Sequence, residues 1–149
     1  MLNTEAILKL MPYQVPFLFI EELVKVTEEG VEGTFTFHKS ADYYKGHFKN
    51  NPITPGVLLT ECCAQIGVVS LGIFLLGSED NDKALQIGMS STQMEFYKPV
   101  LPGTKVRVCS KKQYFRFNKL KCNVQMFTMQ GDLICKGVIA GMLKRGVHE

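Results

Sequence analysis

Three observations place the chain in the α+β class, mostly antiparallel sheet with one long buried helix. Residues 57–76, VLLTECCAQIGVVSLGIFLL, form an apolar run too long for an ordinary strand, bounded by Pro55-Gly56 and Gly77-Ser78. On either side of it lie shorter strand-like runs separated by Gly, Asn and Asp turn residues. The two needs are complementary. A helix apolar on nearly every side must be wrapped, and a sheet with one apolar face must be covered. With 149 residues, 46% of them hydrophobic, the chain is expected to be one domain over 1–149 around a single core.

In chain order, residues 4–10 (TEAILKL) begin at a Thr N-cap candidate and form a short helix that Pro12 stops. Runs 18–27 and 31–39 are strand-like, joined by a hairpin turn at Glu28-Glu29-Gly30. In the second run Val31, Gly33, Phe35 and Phe37 alternate with Glu32, Thr34, Thr36 and His38, which puts His38 on the solvent face. The long helix over 57–76 is interrupted by Glu61 and Gln65, four apart and so on one face, where the amide can bond and orient the carboxylate. A carboxylate in so apolar a setting must find a partner or do chemistry.

The same segment is long enough to span a bilayer. Glu61 lies well inside it, however, and no Lys or Arg cluster flanks it, which favours a soluble core helix without membrane insertion. A polar loop is expected at 78–83, then strands over 84–89 and 93–98, broken by Pro99 and Pro102-Gly103. Further strands are expected at 105–116, 121–129 and 133–143, with turns at Asn118-Lys119 and Gln130-Gly131-Asp132. His148 falls at a fraying end.

A net charge of +3 and a pI near 8.6, without a Lys/Arg block, argue against a nucleic-acid-binding arm and leave room for an acidic protein partner. The N-terminus lacks the pattern of a secretory signal, so a cytoplasmic location is expected. The five cysteines show no Cys-x-x-Cys or Cys/His ligand spacing; they are expected to be buried reduced thiols, with no metal site.

Chemistry concentrates at the junction before the long helix. His47 sits in a loop rich in Gly, Asn and Pro, and Pro55-Gly56 mark the helix start, where unpaired backbone N–H groups can hold a developing negative charge. A lone loop histidine is usually a surface or packing residue. An imidazole, a carboxylate one to two turns into the helix and a donor at Gly56 together point to acid–base catalysis.

The run Gly46-His47-Phe48-x-x-Asn51-Pro52-Ile53-x-Pro55-Gly56-Val57-Leu58-x-x-Glu61-x-x-Ala64-Gln65 resembles the signature of the β-hydroxyacyl-acyl carrier protein dehydratases. The resemblance extends to Met11-Pro12-Tyr13-Gln14-Val15-Pro16-Phe17-Leu18 and to Phe96-Tyr97-Lys98-Pro99-Val100-Leu101-Pro102-Gly103, and so covers nearly the whole chain. It implies the hotdog fold, an antiparallel sheet wrapped around one long central helix. It also implies dehydration of a (3R)-3-hydroxyacyl thioester on acyl carrier protein to the trans-2-enoyl thioester. On that reading His47 takes the α-proton, Glu61 protonates the departing hydroxyl, and the Gly56 N–H polarises the thioester carbonyl. Phe48, Pro55, Val57, Gln65, Tyr13 and Phe96 would contact substrate, and Lys45, Lys49 and Lys98 would dock the carrier.

No cofactor or metal is implied beyond the phosphopantetheine that bears the substrate. In this family the histidine and the acid of one site come from opposite subunits, so a homodimer is implied, or a higher assembly such as a trimer of dimers. Three residue pairs depart from the pattern: Tyr13-Gln14 replace His-Arg, Lys49-Asn50 replace Pro-Gly, and Tyr97-Lys98 replace Arg-Arg. None is His47, Gly56 or Glu61. The departures bear on substrate range and carrier docking, as in a specialised polyene or polyketide pathway, and Asn50 can still take the left-handed conformation. Two alternatives remain, a hotdog acyl thioesterase and a non-catalytic acyl-binding subunit. The Gly-His-Phe context speaks against the first, and the ionisable group in the core helix against the second.

Overall fold

Where apolar side chains can be hidden decides the architecture. The computed structural model describes residues 2–77 and 85–145, and in it the central run is helical throughout Gly56–Leu76. The helix packs on a six-stranded sheet of β1 (Glu22–Thr27), β2 (Gly30–Thr36), β3 (Leu85–Phe96), β4 (Lys105–Arg116), β5 (Lys119–Thr128) and β6 (Leu133–Arg145), in the order β1-β2-β4-β5-β6-β3. Every pairing is antiparallel. This is the sheet wrapped around a helix that the sequence predicts.

Period-two alternation turns Val106, Val108, Leu120, Cys122, Val124 and Met126 towards the helix, and all are buried. Each large apolar side chain hidden in this way stabilises the fold by about 1.5–3 kcal/mol. Gly67 permits the close approach: a Cβ there would lie 2.9 Å from Val124 Cγ1 and 3.0 Å from Ser110 Cβ. The middle turn of the helix, Gln65–Val69, is π-helical. Side-chain hydroxyls claim two of its carbonyls: Ser70 donates back to the Ile66 oxygen, and Ser110 on β4 donates to Gly67 at 2.8 Å. Bonds of this kind compete with the regular helical ladder and distort it locally.

Several expected boundaries shift. The two strands expected at 84–89 and 93–98 are one, Leu85–Phe96, because a bulge between Met89 and Ser91 absorbs the polar residues that look like a break; the Ser90 hydroxyl donates to the Ala140 carbonyl at 3.2 Å. The first strand begins at Glu22 instead of residue 18, since the Phe19 N–H bonds to a helix side chain and not to a neighbouring strand. The second ends at Thr36, not 39. Thr34, expected on the solvent side, is buried beside Glu22, to which its hydroxyl donates at 3.5 Å.

The turn expected at Asn118-Lys119 falls at Phe117-Asn118, both with positive φ, and Lys119 already belongs to β5. The N-terminal helix, Thr4–Leu10, is capped by Asn3, whose side chain accepts from the Ala6 N–H at 2.8 Å, and not by Thr4. His38 is on the solvent side as expected, 3.5 Å from Glu21. Cys62, Cys63, Cys122 and Cys135 are buried thiols, while Cys109 is only half-buried. The expected loop at 78–83, Ala84 and His148 lie outside the described residues.

Candidate active site

His47 is carried by a short hairpin whose own backbone fixes it. The chain leaves the 3-10 turn Asp42–Lys45, and the His47 N–H donates to the Tyr43 carbonyl at 3.1 Å. Phe48 and Asn51 then exchange both backbone bonds at 2.9 Å, with Asn50 at φ 59° in the left-handed conformation expected of it. The chain returns with the Ile53 N–H on the His47 carbonyl at 2.8 Å. The His47 ring meets the same residue, its Nδ1 2.8 Å from the Ile53 carbonyl oxygen. A carbonyl can only accept, so Nδ1 carries a proton, and in the neutral ring Nε2 presents the lone pair. The Phe48 ring stacks on the imidazole at 3.9 Å, and the peptide between the two residues is cis.

The same hairpin delivers the helix start. Pro55 is the N-cap, without side-chain capping, and the Leu58 and Leu59 N–H groups turn back to its carbonyl. The Gly56 N–H has no acceptor among the described residues, so it stands at the positive end of the helix as a ready donor. The Phe96 ring closes over Gly56, 3.5 Å from where a Cβ would be. Phe48, which stacks on His47, Val57, next to Gly56, and Phe96 are 53%, 75% and 48% exposed, apolar side chains open to solvent.

Glu61 is held from the opposite direction. Gln65, fully buried one turn on, donates from Nε2 to the Glu61 carboxylate at 3.0 Å and to the Phe17 carbonyl at 3.0 Å, while its Oε1 accepts from the Phe19 N–H at 2.7 Å. Gln65, expected as a substrate contact, is therefore committed to protein at both amide ends and acts as the holder of Glu61. Tyr13 and Glu61 face one pocket of about 80 Å³ whose remaining wall is mostly apolar, including Val68, Ile87 and Ile139. Burial, then the charge of Glu61, pushes the Tyr13 phenol up to about 12. His47 is not in the wall of this pocket, so one chain brings Tyr13, Glu61 and Gln65 together, and separately His47, Phe48 and the Gly56 end of the helix.

A larger concavity, about 450 Å³, lies on the polar side of the sheet between Gln93, Glu95, Asn123, Gln125 and Lys136. None of His47, Gly56 and Glu61 lines it. Of the docking candidates, Lys45 pairs with Asp42 at 3.2 Å, while Lys49 and Lys98 are exposed and form no ion pair among the described residues. Burial pushes the Cys62 thiol well up, and a bond donated to Cys135 together with burial does the same to Cys63, so both adjacent thiols are held protonated. Among the described residues no group of three or more His, Cys, Asp or Glu side chains is placed to hold a metal.

Five residues went unseen in the sequence: Ile53, Phe17 and Phe19, through their backbone atoms, and Tyr44 and Thr54, whose hydroxyls are hydrogen-bonded to each other. The first three act through backbone atoms, which no side-chain pattern reveals.

The model of the FabA-like domain matches residues 11–141. The chain belongs to the FabA-like domain family. One relative, the 3-hydroxyacyl-[acyl-carrier-protein] dehydratase FabZ of Roseiflexus sp. (strain RS-1), is 30% identical over 142 residues, 92% of this chain and 93% of that protein. The FabZ dehydratase of Anoxybacillus flavithermus is 31% identical over 139 residues, 91% of this chain and 93% of its own. Among solved structures, the dehydratase heterocomplex ApeI:P of Xenorhabdus doucetiae superposes with a TM-score of 0.76 at 10% identity, over 97% of this chain and 93% of that one. A thioesterase of Haemophilus influenzae superposes at 0.70 with 16% identity, over 100% of this chain and 95% of that one. At such identities the two structures establish the shared hotdog fold. On that fold Gly56 opens the central helix, Glu61 lies in its second turn, and His47 lies in the loop that leads into it.

Proposed function

We propose that this chain dehydrates a (3R)-3-hydroxyacyl thioester carried on acyl carrier protein, giving the trans-2-enoyl thioester. The observation that carries the reading is the bond from His47 Nδ1 to the Ile53 carbonyl, which commits one ring nitrogen and leaves Nε2 as an oriented base. Nε2 removes the α-proton while the Gly56 N–H donates to the thioester oxygen as enolate character grows. Glu61 then gives a proton to the β-hydroxyl, which leaves as water as the Cα–Cβ double bond forms. A proton passing from the imidazolium to the Glu61 carboxylate restores both groups. No cofactor enters these steps. The similarity to FabZ dehydratases over almost the whole chain supports this reaction over thioester hydrolysis.

The site is completed by a second copy. Glu61 lines a pocket to which His47 of the same chain does not contribute, and β3, an edge strand twelve residues long, is exposed along most of its length. An edge of that length is normally paired or covered. A homodimer places the His47 loop of one protomer at the Glu61 pocket of its partner. The carrier approaches over Lys49 and Lys98, which draw an acidic partner; Lys45, already paired, contributes less.

The test is incubation with 3-hydroxyacyl carrier protein, following the enoyl product and, separately, free thiol. Enoyl formation without thiol release is expected. Thiol release without enoyl product identifies a thioesterase, and neither product a binding subunit.

A further inference from the structure

The His47 hairpin is closed at its base by a bond that the reaction scheme does not use. Tyr44, three residues before His47, and Thr54, directly before Pro55-Gly56, are 7% and 3% exposed, and their hydroxyls are bonded to each other. Everything proposed to handle the α-proton and the carbonyl lies between or beside these two residues. Inside the closure, His47 and Ile53 are joined by the backbone bond and by the ring bond. On one side, the Tyr43 carbonyl holds the His47 N–H. On the other, the Thr54 N–H is fastened to the Val100 carbonyl at 2.9 Å, and the next residue is the cap of the central helix.

The Ile53 carbonyl that orients the imidazole is therefore one residue from the Thr54 hydroxyl, and the Gly56 donor two residues beyond it. A purely space-filling role would be served as well by a phenyl ring and a methyl group, which leave nothing polar to satisfy in the interior. Two hydroxyls instead impose a direction and a distance. The Tyr43 ring lies tilted against Tyr44, with centroids 4.7 Å and planes 55° apart, and packs beside the phenol. Burial pushes the Tyr44 phenol up from its ordinary range, so it keeps its proton and its bond to Thr54 at neutral pH.

We infer that Tyr44 and Thr54 are positioning residues of this site, a clasp that fixes the His47 ring relative to the Gly56 N–H through the Ile53 carbonyl. The inference rests on the proposed role of His47 as base. Misplacing a reacting group by about 1 Å can cost about 10²-fold. A partly loosened hairpin loses less, and a fall in kcat of about tenfold is expected.

The experiment uses the full chain in four forms, Tyr44→Phe, Thr54→Val, the double variant and Thr54→Ser, with His47→Ala as the control. Each is assayed for enoyl formation and melted. Histidine-labelled protein is followed by NMR at the Nδ1–H of His47, one of only three histidines. The expected result has four parts. Tyr44→Phe and Thr54→Val each lower kcat with KM within about twofold. The His47 Nδ1–H signal broadens or is lost in both. The double variant is no worse than either single one, because the two hydroxyls act as a unit. Thr54→Ser keeps kcat and signal.

Lowered melting temperatures with unchanged kcat and an intact signal overturn the inference, leaving the pair as ordinary loop stabilisation. So does failure of both Tyr44→Phe and Thr54→Val to fold, which would assign the bond to the fold. If Tyr44→Phe alone fails to fold, Thr54→Val and Thr54→Ser decide. Retained dehydration in His47→Ala is a different outcome, since it removes the proposed base and the inference with it.

Discussion

The two ionisable groups of the site are anchored in opposite ways. Glu61 is tied to the core: its holder, Gln65, is fully buried and also carries the Phe17 carbonyl and the Phe19 N–H, so the acid, the entry segment and the central helix share one amide. His47 is tied only to its own hairpin, by Ile53 and Tyr43, at the surface. Perturbing the first anchor should disturb the fold, whereas perturbing the base itself should disturb only the chemistry. An acid inside a core helix must be satisfied or it destabilises the protein. A base on a loop bears no such constraint.

The largest effect expected is on turnover without stability. His47→Ala should lower kcat by about 10²–10⁴-fold, the usual loss of a general base, with a melting temperature close to wild type. A matching fall in melting temperature would mean that the loop is not independent of the core. The second variant reverses the pattern. Gln65→Leu leaves the buried Phe19 N–H without its acceptor, at about 1–3 kcal/mol, and the part-buried Phe17 carbonyl without its donor at less. Denaturant unfolding should show the loss, and kcat should fall as Glu61 loses its orientation. Unaltered stability would show that water or another donor replaces the amide.

How much of this contrast could be read from the sequence differs between the two regions. The spacing of Glu61 and Gln65 is a helix rule, so their bond was legible as soon as the segment was read as helix. One apolar helix among alternating strands implies only the α+β class; the hotdog arrangement is what the motif resemblance implies, and the antiparallel six-stranded sheet on the central helix agrees with it. What escaped was long-range or backbone-borne. Nothing local to Phe17 and Phe19 announces that a side chain 46 residues away from Phe19 takes its N–H, so the first strand was extended too far. Ser90 and Ser91 read as a break because a bulge and a loop have the same composition; only the partner strand β6 tells them apart. The clasp between Tyr44 and Thr54 has no sequence period at all, being a contact across a hairpin whose shape is set by the bonds it contains.

The smallest effect expected is at the surface. Lys49→Glu combined with Lys98→Glu should raise the KM for carrier-bound substrate several-fold at low salt and less at high salt, because exposed charges act over a Debye length of about 10 Å at 0.1 M. A short thioester without carrier should be turned over almost as by wild type. Equal losses with both substrates would place these lysines in the site or the fold, and the docking surface would have to be sought elsewhere.

The central claim is that base and acid, anchored separately within each chain, meet across two chains. Mixing His47→Ala with Glu61→Gln tests it most directly. Each variant alone should be inactive yet folded. After subunit exchange half the dimers are mixed, and each mixed dimer holds one intact site, so activity should recover to about a quarter of wild type. Proof of exchange with no recovery would contradict the account, and would put His47 and Glu61 of the same chain in one site.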